Sequence, residues 1–185
     1  MERIAIIGCG GSGKSTLARR IGAALDVPVH NLDRWYWKAG WIATPNDEWT
    51  AIHERLCSEP TWIIDGNYGG TMDTRLQAAD TVVFLDLPGW RCLWGAVSRY
   101  WRYRGRIRPE LSEGCPERLT GDYLKWIWTY RGSRRPRILR TLQRLESDKD
   151  VVILDSREAA DAFLSSLGKT PAQTETAGSC STSRR

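Results

Sequence analysis

Arg3–Ser15 reads RIAIIGCGGSGKS, and this stretch decides the fold. Arg3–Ile7 is a short β-branched run with no polar alternation, which is the pattern of a strand buried on both faces. It runs straight into Gly8–Ser15, which fits G-x-x-x-x-G-K-[ST]. Glycines at Gly8, Gly10, Gly11 and Gly13, with Ser12 among them, allow backbone N–H groups to turn inward around an anion. Leu17, Ile21 and Leu25 then recur every four residues, as on one face of a helix. The positive N-terminal end of that helix points at the same anion. Lys14 is placed to reach the β- and γ-phosphates of a nucleoside triphosphate. Ser15, with Thr16 behind it, is placed to ligate Mg²⁺. ATP with Mg²⁺ is the expected ligand.

Further strand and helix patterns follow in alternation. Asp26-Val27-Pro28 ends the first helix. Val29–Leu32 is a second strand candidate, and Glu48–Leu56 has the look of a short helix. Trp62–Asp65 and Thr81–Asp86 are the third and fourth strands. Leu93, Trp94, Val97 and Trp101 carry helical spacing, and Tyr123–Tyr130 is helical and aromatic. Ile138, Leu139, Leu142 and Leu145 mark another helix. Val151–Leu154 is the fifth strand, with a helix from about Glu158 to Leu167. Apolar strands alternating with helices predict an α/β fold on a parallel sheet. Residues 1–168 form the expected domain. From Gly168 the chain turns to Thr, Ser, Ala and Gly, and residues 169–185 are expected to be disordered.

The 185-residue chain is long enough to bury one core without disulfides. Its net charge of +5 is unevenly spread. Arg91–Arg144 holds 13 Arg and one Lys against four acidic residues, or +10, so the remainder sums to −5. Such a basic half suits a polyanion, either nucleotide phosphates or a nucleic-acid backbone. Five cysteines without C-x-x-C spacing, and two histidines at no zinc-ligand spacing, favour free thiols in a reducing compartment. With no signal-peptide pattern and no apolar run of about 20 residues, a cytoplasmic protein without membrane partners is expected.

Asp33, Asp65 and Asp86 each follow an apolar run, where ligands of parallel sheets collect. A carboxylate there can hold Mg²⁺ through water or accept a proton from a phosphoryl acceptor. Asp33 is the candidate for the acceptor hydroxyl and Asp65 for the metal. For Asp86 an ordinary strand-to-helix turn competes. Arg99, Arg102, Arg104, Arg106 and Arg108 crowd a Gly/Pro-containing stretch, read as a lid over about 102–120. Arg99, Arg102 and Arg106 are expected to close over the phosphates and exclude water. A second group, Arg131, Arg134, Arg135 and Arg137, offers further phosphate contacts. Most of the ten Trp are expected to pack, with Trp35–Trp41 the best candidates to stack on a flat acceptor.

With these residues placed, the chain resembles the adenylate-kinase-like P-loop kinases. Within them it is most similar to the DNA topology modulation proteins (FlaR-type). GCGGSGKST at Gly8, LDRWYWKAGW at Leu32, WIIDGNY at Trp62, RYRGRIRPELSEGCPERL at Arg102 and WIWTYRGSRRPRI at Trp126 carry the likeness. The phosphate loop is shared by very many proteins, whereas the tryptophan-rich and GRIRP segments are more specific. The resemblance implies a five-stranded parallel sheet with a small lid and an acceptor-binding flap, and ATP held by Gly8–Thr16. It implies that Asp65 takes the Mg²⁺-water position. It puts Arg99 near a lid arginine that contacts the triphosphate, and Arg134 or Arg137 at a later phosphate contact. Where adenylate kinases continue Asp-Gly with Phe-Pro-Arg, this chain continues Asp65-Gly66 with Asn67-Tyr68-Gly69. Arg75 is then the arginine left to meet an acceptor phosphate.

Two functions are compatible with these residues. One is a kinase passing the γ-phosphoryl group of ATP to a nucleotide-like or other small acceptor, with Lys14, Asp33, Arg99 and Arg102 in the catalytic roles. The other is a nucleic-acid-associated regulator that uses ATP as a switch. The absence of a helix-turn-helix or zinc motif favours the first.

Overall fold

A computed structural model of the chain describes residues 1–167. The segment expected to be disordered lies outside the described residues. The main sheet contains β1 (Arg3–Gly8), β2 (Val29–Asn31), β5 (Trp62–Asp65), β6 (Thr81–Leu85) and β7 (Asp150–Leu154). Its order is β2-β5-β1-β6-β7, and every pairing is parallel. A two-stranded antiparallel ribbon, β3 (Trp37–Lys38) and β4 (Ile42–Ala43), stands apart from it.

Because successive strand side chains point to opposite faces, β1 feeds two cores. Ile4 and Ile6 join Ile63, Val83 and Leu85 beneath α1 (Lys14–Leu25) and α8 (Arg157–Leu167). Ala5 and Ile7 join Ile64, Val82 and Phe84 on the other face. That second face is covered by α3 (Asn46–Cys57), α4 (Met72–Ala78), α5 (Gly89–Tyr103), α6 (Gly121–Ser133) and α7 (Arg135–Leu145). With helices on both faces, the central strands β1, β5 and β6 are apolar and buried over most of their length, as the sequence pattern required.

Two differences from the expected boundaries bear on the site. The second strand stops at Asn31, and Leu32 opens the short helix α2 (Leu32–Tyr36), so Asp33 sits in its first turn. Leu32 is fully buried, which ties that turn to the core. Helix α5 runs to Tyr103, so the irregular arginine segment is 104–120 and Arg102 belongs to the helix. Arg104 and Glu117 bridge across that segment, and Glu117 N donates to Arg106 O at 3.1 Å.

Most of the tryptophans pack as expected, six of the ten being buried or half-buried. Trp49 and Trp62 are buried, but Trp90, Trp94, Trp101 and Trp128 are exposed. Among the described residues no helix is long and apolar enough to cross a membrane.

Candidate active site

The loop after β1 takes its shape from glycines in backbone conformations that L side chains avoid. Gly11 has φ 76° and Gly13 has φ 94°. A Cβ at Gly11 would overlap the carbonyl oxygen of Cys92 on α5, so the loop and α5 touch backbone to backbone. Gly13 precedes α1, and Leu17 N donates back to Gly13 O at 3.0 Å. Lys14 Nζ donates to Cys9 O at 3.0 Å, so the ammonium lies across its own loop.

Asn67, which follows β5, braces the start of this loop. Its Oδ1 accepts from Gly8 N at 3.1 Å and its Nδ2 donates to Gly8 O at 2.6 Å. The backbone of Gly66 and Asn67 is held by Arg75, whose Nη2 donates to Gly66 O at 2.8 Å and to Asn67 O at 2.7 Å. Arg75 is fully buried. It is therefore a structural brace and not the acceptor-phosphate ligand that sequence suggested. Burial pulls its guanidinium down to about 10, still charged at neutral pH.

A cavity of about 440 Å³ opens above the loop. Gly10, Gly11, Lys14, Ser15, Asp33, Asp65, Arg99 and Arg108 all line it. The strand-end carboxylates and the phosphate loop thus meet in one place. Asp65 is buried, and its Oδ1 has no hydrogen-bond partner. Burial holds its carboxyl above the usual range, while the Lys14 charge and the Ser15 hydroxyl pull it back. An orphaned buried carboxylate oxygen beside a serine hydroxyl is a hard oxygen pair, which fits Mg²⁺ and its waters.

Asp33 is more open and holds two partners. Tyr68 OH donates to its Oδ1 at 2.7 Å, and Arg108 Nη2 donates to its Oδ2 at 2.9 Å. Burial and then the Asp33 charge push the Tyr68 phenol up, which keeps it a proton donor. Arg108 also lies 3.0 Å from Glu117 Oε2 through Nε, an ion-pair contact off the N–H direction. Arg99 Nε donates to Glu117 Oε1 at 2.8 Å, and Arg99 Nη2 donates to Tyr123 OH at 3.3 Å. The buried Glu117 carboxylate therefore gathers both arginines at the mouth of the cavity.

A narrower cleft of about 230 Å³ continues on the outer side of the loop. Gly13, Lys14, Ser15 and Thr16 form its floor, and Arg99, Arg102 and Arg157 line its walls. On the other side, a cavity of about 670 Å³ shares Asn67, Tyr68 and Trp126 with the central one. Arg134 and Arg137 lie there, with Arg134 Cζ 5.3 Å from the Trp126 ring centroid. They are not with the phosphate loop.

Other expected residues fall elsewhere. Arg106 is exposed and lines none of these spaces, whereas Arg108 is buried against Asp33 and Glu117. Asp86 is clamped by Arg135, Nε to both carboxylate oxygens and Nη2 to Oδ2, at 2.7–2.9 Å. That pair pins the start of α7, so neither residue is free for a phosphate. Trp37 lines the central cavity, whereas Trp41 turns to the arginine segment, with Nε1 donating to Pro116 O at 3.1 Å. Asn67, Tyr68, Glu117, Tyr123 and Trp126 were not read from sequence as site residues. Only the placement of Asn67 and Tyr68 just past a strand end hinted at them.

No protein-family model matches the chain, and neither does any curated protein. Solved structures do. A gluconokinase from Sinorhizobium meliloti matches at 20% identity and TM-score 0.49, covering 90% of this chain and 93% of that one. Shikimate kinase from Acinetobacter baumannii, in complex with shikimate, matches at 16% identity and TM-score 0.58, covering 90% of both chains. Shikimate kinase from Aquifex aeolicus matches at 18% identity and TM-score 0.46, covering 89% of this chain and 95% of that one. The chain has the α/β fold of P-loop kinases, a five-stranded parallel sheet flanked by helices.

Proposed function

We propose that the protein is an ATP-dependent kinase that phosphorylates a small molecule. One observation carries the reading: a phosphate loop, two strand-end carboxylates and two arginines line a single cavity. In this reading the triphosphate lies in the cleft along Gly8–Thr16. Lys14 leaves the Cys9 carbonyl to follow the β- and γ-phosphates. Arg99, Arg102 and Arg108 face the charge that spreads over the transferring group. Ser15 and, through water, Asp65 would hold a Mg²⁺, which when bound would offset the charge of the phosphates. Asp33 orients the acceptor hydroxyl and takes its proton as oxygen bonds to the γ-phosphorus, while the bond to the ADP oxygen breaks. Segment 104–120 acts as the lid that excludes water.

The acceptor lies toward the 670 Å³ cavity, where Trp126 offers a flat wall and Arg134 and Arg137 offer positive charge. A small molecule bearing both a hydroxyl and an anionic group suits that lining. Similarity to the topology modulation proteins is part of this proposal and rests on the sequence segments alone.

The test is acceptor-stimulated ADP release across nucleoside, nucleotide, sugar and hydroxy-acid acceptors. Lys14→Ala is expected to lower turnover by at least about 100-fold, the scale of losing one main transition-state contact. Equal turnover by wild type and Lys14→Ala, or no stimulation by any acceptor, would sink the kinase reading.

A further inference from the structure

Helix α5 is built inside out. Its inward face is small: Cys92 and Ala96 are buried, and a Cβ at Gly95 would overlap the Gly11 carbonyl oxygen. Its outward face carries Trp90, Trp94, Val97 and Trp101, spaced four, three and four residues apart. Trp128 of α6 lies beside Trp90 across a surface hollow of about 350 Å³ that also involves Pro88 and Arg131. The four Trp are 63–68% exposed. A soluble helix ordinarily turns such a stripe to its own core. Single exposed apolar residues need no account, but a contiguous aromatic face does.

We infer that this face is the interface of a homodimer, formed by α5 of one copy packing antiparallel on α5 of a second. The 4-3-4 spacing is the seam of paired helices, where side chains of one helix enter gaps of the other. A twofold axis on the outward face, level with the midpoint between positions 95 and 96, sets Trp90 opposite the partner copy's Trp101 and Trp94 opposite Val97. Antiparallel pairing also opposes the two helix dipoles. The area is sufficient. Four rings exposed to this degree offer roughly 500 Å² per copy, since each Trp presents about 150–250 Å². With the rim included, this approaches the ~600–800 Å² per partner of a stable pair. Trp and Arg are also the residues that dominate the energy of interface centres.

Charge sets the partner apart from an anionic surface by the sign of its salt response. Arg91 and Arg104 lie over the Trp90 and Trp101 rings, with Cζ 5.3 Å and 5.4 Å from the ring centroids. Helix α5 has no acidic residue. Two copies therefore meet with basic rims facing, and salt that screens those rims tightens the pair. Nucleic acid or anionic lipid on the same face would instead be weakened by salt.

The experiment is sedimentation velocity of the full chain at tens of micromolar, at about 50 mM and about 500 mM NaCl. The expected species has about twice the 21.0 kDa chain mass, with a larger dimer fraction at high salt. Tryptophan emission shifts to the blue as the dimer forms. Trp94→Glu and, separately, Trp101→Glu are each expected to weaken the dimer by at least tenfold, roughly 1.4 kcal/mol, while far-UV circular dichroism and ATP binding stay unchanged. A monomer at both salts overturns the inference. So does a dimer that both substitutions leave intact. A monomeric chain that binds a 30-nucleotide single strand, or vesicles of phosphatidylcholine and phosphatidylserine, only at low salt overturns it in favour of those occupants. ATP turnover is scored separately, so failure here leaves the kinase reading standing.

Discussion

At the scale of single residues, Arg75 is a costly group to bury. A fully buried guanidinium with carbonyl partners but no carboxylate hydrogen bond is tolerated only where its position matters. What it fixes is the backbone of Gly66-Asn67, and through the Asn67 side chain, Gly8 of the phosphate loop. His53 completes the arrangement, with Nε2 3.4 Å from Arg75 Nη1. Burial and then the Arg75 charge hold the imidazole down at about 4, against an ordinary value of 6.5. The linkage has a definite sign. Above pH 6.5 His53 is neutral in folded and unfolded chains, and its contribution is intact. As pH falls from about 6.5 toward 4, the unfolded chain takes a proton that the folded chain refuses, so stability is lost. The loss is of order 3 kcal/mol across the window, from about 1.4 kcal/mol per pH unit. Urea unfolding at pH 7.5 and 4.5 measures it. His53→Gln, which keeps an acceptor for Arg75, is expected to lose that much less on acidification. Equal losses in both proteins would refute the assignment.

Residues of this kind mark where sequence reading stops. The loop Gly8–Ser15 was legible because strand, glycines, lysine and helix are contiguous. Asp33 and Asp65 were legible because a carboxylate after an apolar run falls at the ligand edge of a parallel sheet. Asn67 was not, since its partner Gly8 lies 59 residues away. Neither was the choice of Arg108 over Arg106. Two arginines two residues apart look alike until the fold brings Asp33 and Glu117 against one of them. The exposed Trp stripe misled for a different reason. Helical periodicity reports that a face exists, not whether the protein or a partner covers it.

At the scale of elements, α5 couples the phosphate loop to the rest of the molecule. The close approach of Gly95 and Gly11 leaves no room for a side chain on either. Gly95→Ala improves intrinsic helix propensity by about 1 kcal/mol, so an isolated helix would gain from it. Here the added methyl meets backbone, which cannot rotate away. The helix must move off the loop, carrying Arg99 and Arg102 with it. The expected result is at least a tenfold loss of ATP affinity, roughly 1.4 kcal/mol, with a lower melting temperature. Titration calorimetry and a thermal melt measure the two. If Gly95→Ala binds ATP as wild type does and melts higher, propensity has won and the contact is not a constraint.

At the scale of the whole molecule, the segment 104–120 and the region 33–43 are fastened to each other across the site. Arg108 bonds Asp33, Ser112 Oγ donates to Arg34 O at 2.6 Å, and Gly40 N donates to Gly114 O at 2.9 Å. Cys115 Sγ contacts Lys38 O at 3.2 Å, and Arg118 Cζ lies 4.2 Å from a Trp41 ring centroid. These contacts are small and exposed or half-buried, so each is worth little alone. Together they hold the carboxylate proposed to take the acceptor's proton against an arginine proposed to face the phosphate. Both groups must exchange partners before the proposed phosphoryl transfer. The two segments are therefore expected to open as a unit, below the energy of global unfolding. Amide hydrogen exchange should show 34–43 and 106–119 exchanging at one common rate, faster than β1 and β6. Glu117→Gln removes the charge that gathers Arg99 and Arg108, and should speed exchange in both segments by about tenfold while leaving the sheet unchanged. Because ATP supplies a second anion to the same arginines, adding it should slow exchange of 106–119 more in Glu117→Gln than in wild type. Independent rates for the two segments would mean they are not one moving part, whatever the site does.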